Sequence, residues 1–184
     1  MTKDAIGIIL ARGGSKRLPR KNILNFNSKP LIAWSIKAAI NSNVFDKVLV
    51  STDDQEIADI SKKFGAEVPF LRKSGSDDIT PSSEATLIAL NEAEEYWNKE
   101  FTVVAQLMAN CPLRNSKDIK KCFDAFTSSN ASSQISCFKF GWMMPWWALK
   151  LSEDGRGESI FPEAIKKRSQ DLPDLYCPTG AIWF

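Results

Sequence analysis

Along the first 138 residues, short apolar segments alternate with longer segments whose apolar residues recur at helical spacing. The apolar segments predict strands at residues 5–10, 47–52, 67–70, 102–108 and 133–138. The periodic segments predict helices at residues 30–42, 53–65, 83–97 and 115–126. Strands that alternate with helices form βαβ units, so this order predicts an α/β fold with a mainly parallel sheet. A ligand site is then expected at the carboxyl ends of the strands.

Residues at the predicted helix ends support these boundaries. Pro30 suits the first turn of the first helix, because its fixed φ angle is helical and it lacks an N–H group. Asp53 and Asp54 precede the second helix, where the simplest role of a carboxylate is to cap the helix and complement its dipole. Asn115 or Ser116 is the expected cap of the fourth helix.

The basic residues are concentrated near the amino terminus. The chain has 24 basic and 22 acidic side chains, so its net charge is only +2. Non-specific nucleic-acid binding usually needs a broad basic face, which this balance argues against. The apolar run that ends before Arg12 is far too short to span a membrane. We therefore predict a cytoplasmic protein with neither nucleic acid nor membrane as a partner.

Histidine is absent from the sequence, and the four cysteines form no C-x-x-C pair. Zinc sites, disulfide frameworks and histidine-based catalytic triads are therefore disfavoured. Any catalytic metal must be held by oxygen ligands, which suit magnesium or manganese.

The loop after the first strand reads LARGGSKRLPRKN and combines glycines with cations. Gly13 and Gly14 allow backbone N–H groups to point at one anion. Arg12, Lys16 and Lys21 supply positive charge, and Asn22 adds a neutral donor. The loop is neither a Walker A motif nor a G-x-G-x-x-G turn. A solvated basic turn is the alternative, but the position at a strand's carboxyl end favours a triphosphate site.

The stretch IILARGGSKRLPRKNI, residues 8–23, resembles the amino-terminal signature A-R-x-x-S-K-x-x-x-x-K-N of the acylneuraminate cytidylyltransferases. Residues 45–72, 111–119 and 168–184 resemble further segments of that family, so the resemblance covers nearly the whole chain. It implies a three-layer α/β/α, Rossmann-like nucleotide-diphospho-sugar transferase fold. The implied reaction transfers CMP from CTP to the anomeric hydroxyl of a sialic-acid-like 2-keto sugar acid and releases pyrophosphate. Magnesium or manganese as cofactor and a homodimer are implied as well.

The resemblance also assigns roles to individual residues. The implied catalytic residues are Arg12, Lys21 and Asp171. The implied nucleotide-binding residues are Leu10, Ala11, Arg12, Gly13, Gly14, Lys16, Lys21, Asn22, Arg72 and Ser82. The implied sugar-binding residues are Met108, Lys150, Arg168 and Gln170. An arginine such as Arg168 suits the carboxylate of a sugar acid, because its planar fork makes a two-pronged contact. Arg114 is either a surface residue or a structural anchor.

Two features depart from the family pattern. Met108 stands where sialic-acid-activating members commonly have a glutamine, and a thioether cannot donate a hydrogen bond. This favours a deoxygenated relative, of the legionaminic or pseudaminic type, at least as much as N-acetylneuraminate. The family's D-x-D pair, which helps to hold magnesium, has no counterpart within the chain. We therefore expect a single domain over residues 1–184 that is truncated at its carboxyl end, and that binds CTP but turns over little sugar acid.

The aromatic and irregular segment over residues 138–170 is expected to contribute to dimerisation and to the substrate pocket, with a core role as the alternative. Two other functions stay open. One is a nucleotidyltransferase of the 3-deoxy-manno-octulosonate type or another sugar nucleotidyltransferase. The other is a non-catalytic CTP-binding relative, which applies if the chain truly ends at Phe184.

Overall fold

The structure is a computed structural model that describes residues 4–77 and 79–184. Its strands are β1 (Ala5–Leu10), β2 (Asn25–Phe26), β3 (Lys29–Pro30), β4 (Lys47–Ser51), β5 (Val103–Met108), β6 (Ile135–Lys139), β7 (Leu149–Leu151), β8 (Gly157–Ser159) and β9 (Tyr176–Trp183). Its α-helices are α1 (Leu31–Asn41), α2 (Gln55–Lys63), α3 (Ser82–Trp97), α4 (Ser116–Ser128) and α5 (Pro162–Ile165). Short 3-10 helices lie at Lys21–Ile23, Pro145–Trp147 and Ser169–Asp171.

Five strands form the main sheet in the order β4-β1-β5-β9-β6. Strand β1 lies between β4 and β5 and is parallel to both, whereas β9 runs antiparallel to β5. From β1 the chain crosses first to β4 on one side and later to β5 on the other. The loops after β1 and β5 therefore diverge, and this divergence opens a crevice at the carboxyl ends of these two strands. The predicted α/β fold is confirmed.

Side chains alternate between the two faces of the sheet, and both faces are covered by helices. One core cluster joins Ile9, Val50 and Leu107 of the strands to Ile36, Ile57 and Ile119 of α1, α2 and α4. The opposite cluster joins Ile6, Ile8 and Leu49 to Ala89 and Ala93 of α3. Because successive strand residues point to opposite faces, this arrangement produces the three layers.

The predicted boundaries differ from the observed ones in a few places. Residues 67–70 were expected to form a strand, but only Glu67 makes a bridge, to Leu49 of β4. Pro69 lacks the N–H that would continue the ladder. Pro30 is the N-cap of α1 rather than part of its first turn. Asn115 caps α4 in a reciprocal capping box with Asp118.

The chain divides into two compact units, of which the first runs to Ser136 and also contains Gly180–Phe184. The second unit, Cys137–Thr179, includes the segment that was expected to be irregular. Within it, β7 pairs antiparallel with β8. Trp146 Nε1 donates to the carbonyl oxygen of Pro173 at 2.8 Å, and the Trp146 ring contacts that of Phe161 edge-on.

Across residues 4–77 and 79–184, no helix combines the length and the apolar character that crossing a membrane would require.

Candidate functional site

A cleft lies at the carboxyl ends of β1 and β5, where the sheet topology predicts it. Of the residues that the sequence assigned to the nucleotide, six line this cleft: Leu10, Arg12, Lys21, Asn22, Arg72 and Ser82. Met108, assigned to the sugar, lines it too. A second cavity adjoins the first and is lined by Lys16 and Arg17. Four residues line both cavities: Arg12, Lys21, Asn22 and Asn110.

Three predicted nucleotide-binding residues have other surroundings. Ala11 is a buried core residue whose N–H donates to the carbonyl oxygen of Ser51 at 3.0 Å. Gly13 was expected to offer its N–H to phosphate, but that N–H donates to Asp53 Oδ1 at 2.9 Å. Gly14 is exposed and is not among the residues lining the two cavities. Ala11 and the Gly13 N–H are therefore engaged within the protein, and Gly14 lies outside the lining of both cavities.

Arg20 holds the basic loop against α2. Its guanidinium donates to the carboxylates of Asp54 and Glu56. Asp54 also caps α2 by accepting the Ile57 N–H at 2.9 Å, which confirms its predicted capping role. The hydrogen bond from Arg20 holds the pKa of Asp54 below its ordinary value. The charge of Arg20 is thus used within the protein, a role that the sequence did not reveal.

Arg72 is a buried cation beside the cleft, with only 5% of its surface exposed. Its backbone N–H donates to the Thr52 carbonyl at 2.8 Å, and its Nε donates to Ser76 Oγ at 3.2 Å. Among the described residues, its Nη1 atom has no hydrogen-bond partner. Burial lowers the pKa of Arg72, while the carboxylates of Asp53 and Glu92 act in the opposite direction. A buried donor without a partner is costly, which makes Arg72, one of the residues that line the cleft, a candidate for contact with a ligand there.

A buried polar network supports the other side of the cleft. Gln106 of β5 is 5% exposed, and its Oε1 accepts from Thr86 Oγ1 at 2.8 Å. Its Nε2 lies 3.3 Å from Ser82 Oγ, at the first residue of α3. Gln106 shares a face of β5 with Met108, because the two are separated by one residue. Sequence reasoning missed Gln106, although a glutamine inside a buried strand is a signal of such a network.

The loop before α3 is organised by Asp77. Its carboxylate accepts hydrogen bonds from the N–H groups of Ile79 and Thr80, both at 2.7 Å, and from Thr80 Oγ1 at 2.6 Å. The hydroxyl of Thr80 is the main reason that the pKa of Asp77 is lowered to about 2. The Asp77 carbonyl accepts from Arg12 Nη1 at 2.8 Å. Asp77 therefore links Arg12, in the loop after β1, to the turn that precedes α3.

We expect Thr80→Val to raise the pKa of Asp77 from about 2 toward its ordinary value of 3.8, because the strongest donor to the carboxylate is lost. A carboxyl group with a lowered pKa stabilises the fold above the unfolded pKa, and this contribution is lost as the pH falls from 3.8 toward 2. Titration of the side-chain carbonyl carbon by NMR measures the shift. Thr80→Ser keeps the hydroxyl and should leave the pKa low. Equal values in both variants would contradict the assignment to the hydroxyl.

The remaining predicted residues for the sugar lie in the second unit. Arg168 is 74% exposed on its side chain and pairs with Asp171 through two hydrogen bonds, Nε to Oδ2 at 2.7 Å and Nη2 to Oδ1 at 3.1 Å. Gln170 lies between them in the same 3-10 helix as Asp171. Lys150 lies on β7. The predicted roles of these four residues stay predictions.

Arg114 is a structural anchor rather than a surface residue. It is buried, and its Nη1 donates to the carbonyl oxygen of Ala181 on β9. Burial lowers its pKa. This contact ties the turn after β5 to the antiparallel strand beside it.

Comparison with known proteins decides the family. A family model described as "Cytidylyltransferase" matches residues 6–143 of the chain. The chain belongs to the cytidylyltransferase family. This match includes the basic loop, Arg72 and the turn after β5, and the enzyme class expected from the sequence is confirmed.

Curated relatives of this cytidylyltransferase carry several sugar acids in their names. The pseudaminic acid cytidylyltransferase of Campylobacter jejuni serotype O:23/36 is 39% identical over 178 residues, which cover 96% of this chain and 76% of that protein. N-acylneuraminate cytidylyltransferase A of Danio rerio is 33% identical, with 96% of this chain and 40% of that protein covered. The CMP-N,N'-diacetyllegionaminic acid synthase of Legionella pneumophila is 32% identical, with 97% and 73% covered.

Solved structures agree on the fold. A CMP:2-keto-3-deoxy-manno-octonic acid synthetase complexed with CTP superposes with a TM-score of 0.68 at 19% identity, over 98% of this chain and 73% of that one. A 4-diphosphocytidyl-2C-methyl-D-erythritol synthase from Anaerococcus prevotii gives a TM-score of 0.59 at 11% identity, over 100% of this chain and 71% of that one. At these identities the likeness concerns the fold alone.

A magnesium ion in this cytidylyltransferase would need oxygen ligands, of which aspartate and glutamate are the charged ones. In the part of the chain that the structure describes, no group of three or more histidine, cysteine, aspartate or glutamate residues comes together as a metal site. Asp53 and Asp54 are engaged by Gly13 and by Arg20 and Ile57. The described residues therefore do not by themselves fit a resident magnesium ion.

Proposed function

We propose that this protein transfers CMP from CTP to the anomeric hydroxyl of a sialic-acid-like 2-keto sugar acid and releases pyrophosphate. The observation that carries this proposal is the pair of adjoining cavities. One is lined by the buried cation Arg72, whose Nη1 has no hydrogen-bond partner among the described residues, and the other is lined by the cations Lys16 and Arg17. A base-binding cleft joined to a cationic cavity suits a nucleoside triphosphate.

The first cavity suits the cytosine and ribose. A guanidinium only donates hydrogen bonds. Cytosine presents O2 and N3 as neighbouring acceptors, whereas uracil has a donor at N3. Arg72 therefore favours cytosine, while the Ser82 hydroxyl, held by Gln106, is available to the ribose side.

The second cavity suits the phosphates, and its cations are placed to stabilise negative charge on them. When the anomeric hydroxyl attacks the α-phosphorus, it gives up its proton to a base, the bond from the α-phosphorus to the bridging oxygen breaks, and negative charge grows on the leaving pyrophosphate. Arg12 and Lys21 line both cavities, so they lie where charge develops, and Lys16 extends the positive field outward. Preorganised charge of this kind is the main way in which proteins accelerate phosphoryl transfer.

For the sugar acid we favour a pseudaminic-type substrate. Met108 lines the cleft with an apolar thioether, which suits a deoxygenated sugar better than one with an additional hydroxyl. Two relatives named for pseudaminic acid are 39% and 37% identical to this chain. Arg168 is the proposed partner of the sugar carboxylate, which would replace Asp171 in its two-pronged contact. Asp171, released in this way, is the proposed catalytic carboxylate.

Calorimetry and product formation test the two halves of the function separately. We expect CTP to bind at least about tenfold more tightly than ATP, GTP or UTP, a difference of about 1.4 kcal/mol. Pyrophosphate release from CTP should be faster with pseudaminate than with legionaminate or N-acetylneuraminate, and the ranking rather than the absolute rate tests the substrate. Equal affinities for the four nucleotides would contradict the proposal that CTP is the nucleotide substrate. A higher rate with N-acetylneuraminate would overturn only the choice of sugar.

We propose magnesium or manganese as the ion that accompanies CTP, since Mg²⁺ usually binds through substrate phosphates and one or two carboxylates. The same assay with and without EDTA tests this. Pyrophosphate release that persists in EDTA would remove the metal from the proposal.

We also propose a homodimer through the second unit. Met143 is 88% exposed and Trp142 beside it is 84% exposed, and such exposed methionine and tryptophan are enriched at interfaces. Met143→Glu should shift the dimer toward the monomer in sedimentation equilibrium. Leu113→Glu, at a leucine 87% exposed in the first unit, is the matched control and should leave the dimer intact. A monomeric wild-type protein would contradict the proposal.

A further inference from the structure

Asn110 lies at the junction of the two cavities, and the sequence did not single it out. It is one of the four residues that line both, together with Arg12, Lys21 and Asn22. It is exposed within the turn that follows β5. Its amide can both donate and accept hydrogen bonds.

The sheet register places Asn110 and Arg12 at the same edge of the sheet. Leu10 of β1 pairs with Met108 of β5 in the parallel ladder. Arg12 and Asn110 each lie two residues beyond this last pair, on neighbouring loops at the same edge of the sheet. Their shared position in both cavities follows from this register.

A side chain of α1 holds the backbone just before Asn110. Ser35 of α1 is fully buried, and its Oγ lies 3.0 Å from the Met108 carbonyl oxygen and 3.1 Å from that of Ala109. A buried hydroxyl shared by two successive carbonyls restrains the turn. The Asn110 side chain is therefore presented from a supported position.

We propose that Asn110 donates a hydrogen bond to the α-phosphate of the bound nucleotide. This inference rests on the proposed function. If the base and ribose occupy the cleft with Arg72 and Ser82, and the β- and γ-phosphates occupy the cavity with Lys16 and Arg17, then the α-phosphate joins them at the junction. Asn110 supplies there a neutral donor that holds the phosphate oxygens without adding to the positive charge of Arg12 and Lys21.

The test compares ligands with and without the α-phosphate. Asn110→Ala should weaken the binding of CMP and CTP about tenfold, the effect of a hydrogen bond to a charged group, and should leave cytidine binding unchanged. Asn110→Asp should weaken CMP and CTP further, because its carboxylate repels phosphate. Asn110→Ser keeps a donor and should recover part of the affinity. Asn130→Ala, at an exposed asparagine after α4, is the control, and melting temperatures check that every variant folds.

Each outcome decides the proposal. Unchanged CMP affinity in Asn110→Ala would overturn it, and so would an equal loss for cytidine and CMP, which would show that the substitution alters the cleft as a whole. If the wild-type protein does not prefer cytidine nucleotides, the proposed function fails. The role of Asn110 is then still decided by the difference between each nucleoside and its monophosphate.

Discussion

Arg72→Met is expected to lower the affinity for CTP by about 1.5 to 3 kcal/mol, roughly ten- to a hundredfold, and to remove the preference for CTP over UTP. Methionine fills a similar length of the buried space but has no donor. The Nη1 atom that lacks a partner among the described residues is the one that cytosine would satisfy. Isothermal titration calorimetry with both nucleotides measures the two effects.

The stability of Arg72→Met separates binding from folding. Since Arg72→Met removes a cation that the carboxylates of Asp53 and Glu92 favour, its melting temperature should fall, and binding is measured well below that temperature. Arg156→Met, at an exposed arginine of the second unit, is the matched control and should bind CTP normally. If Arg72→Met kept its preference for CTP, the assignment of cytosine to this cleft would have to be abandoned.

Gly13→Ala is expected to destabilise the protein by about 1 to 3 kcal/mol, the usual cost of overpacking, and to weaken triphosphate binding at the same time. A Cβ atom at Gly13 would lie 2.7 Å from Asp54 Oδ2 and 3.0 Å from Asp54 Cβ. Asp54 caps α2 and holds Arg20, so moving it disturbs both the helix end and the basic loop. Urea unfolding measures the stability, and calorimetry measures CTP affinity.

Gly14→Ala is the control for this prediction, because nothing lies within 4 Å of a Cβ built at Gly14. It should leave stability within about 0.5 kcal/mol of the wild-type value. If contact with Asp54 is the cause, Gly13→Ala should cost less in an Asp54→Ala background than in the wild-type protein. An equal cost in both backgrounds would show that the added methyl group acts elsewhere.

Local sequence signals predicted the elements of the first unit well. Near-continuous apolar runs were sufficient for β1, β4 and β5, and apolar residues at helical spacing, with end signals at several ends, were sufficient for the four long helices. Both signals lie within the segment that forms the element. The expected strand at residues 67–70 failed because Pro69 interrupts the ladder after a single bridge. Pro69 lies within the segment, so this signal against a strand was present in the local sequence.

The candidate site could be predicted only in part. Arg12, Lys21, Asn22, Arg72 and Ser82 were named from motifs, and they line one cleft. Gln106 and Arg20 were not, because each bonds to a partner far away in the chain, and Asn110 was not, because its place depends on the pairing of β5 with β1. Arg20, for example, bonds to Asp54, 34 residues later.

What the sequence by itself determined is the class of fold, the family and most of the residues around the cleft, since periodicity and motifs are written in neighbouring positions. The tertiary structure alone decided how those residues are used. Gly13 gives its N–H to Asp53 and lies against Asp54, Arg20 bonds to α2, and the buried Arg72 has a donor without a partner among the described residues. These roles depend on distances between segments that lie far apart in the sequence. The packing of the helices on the sheet sets those distances, and local sequence patterns do not report them.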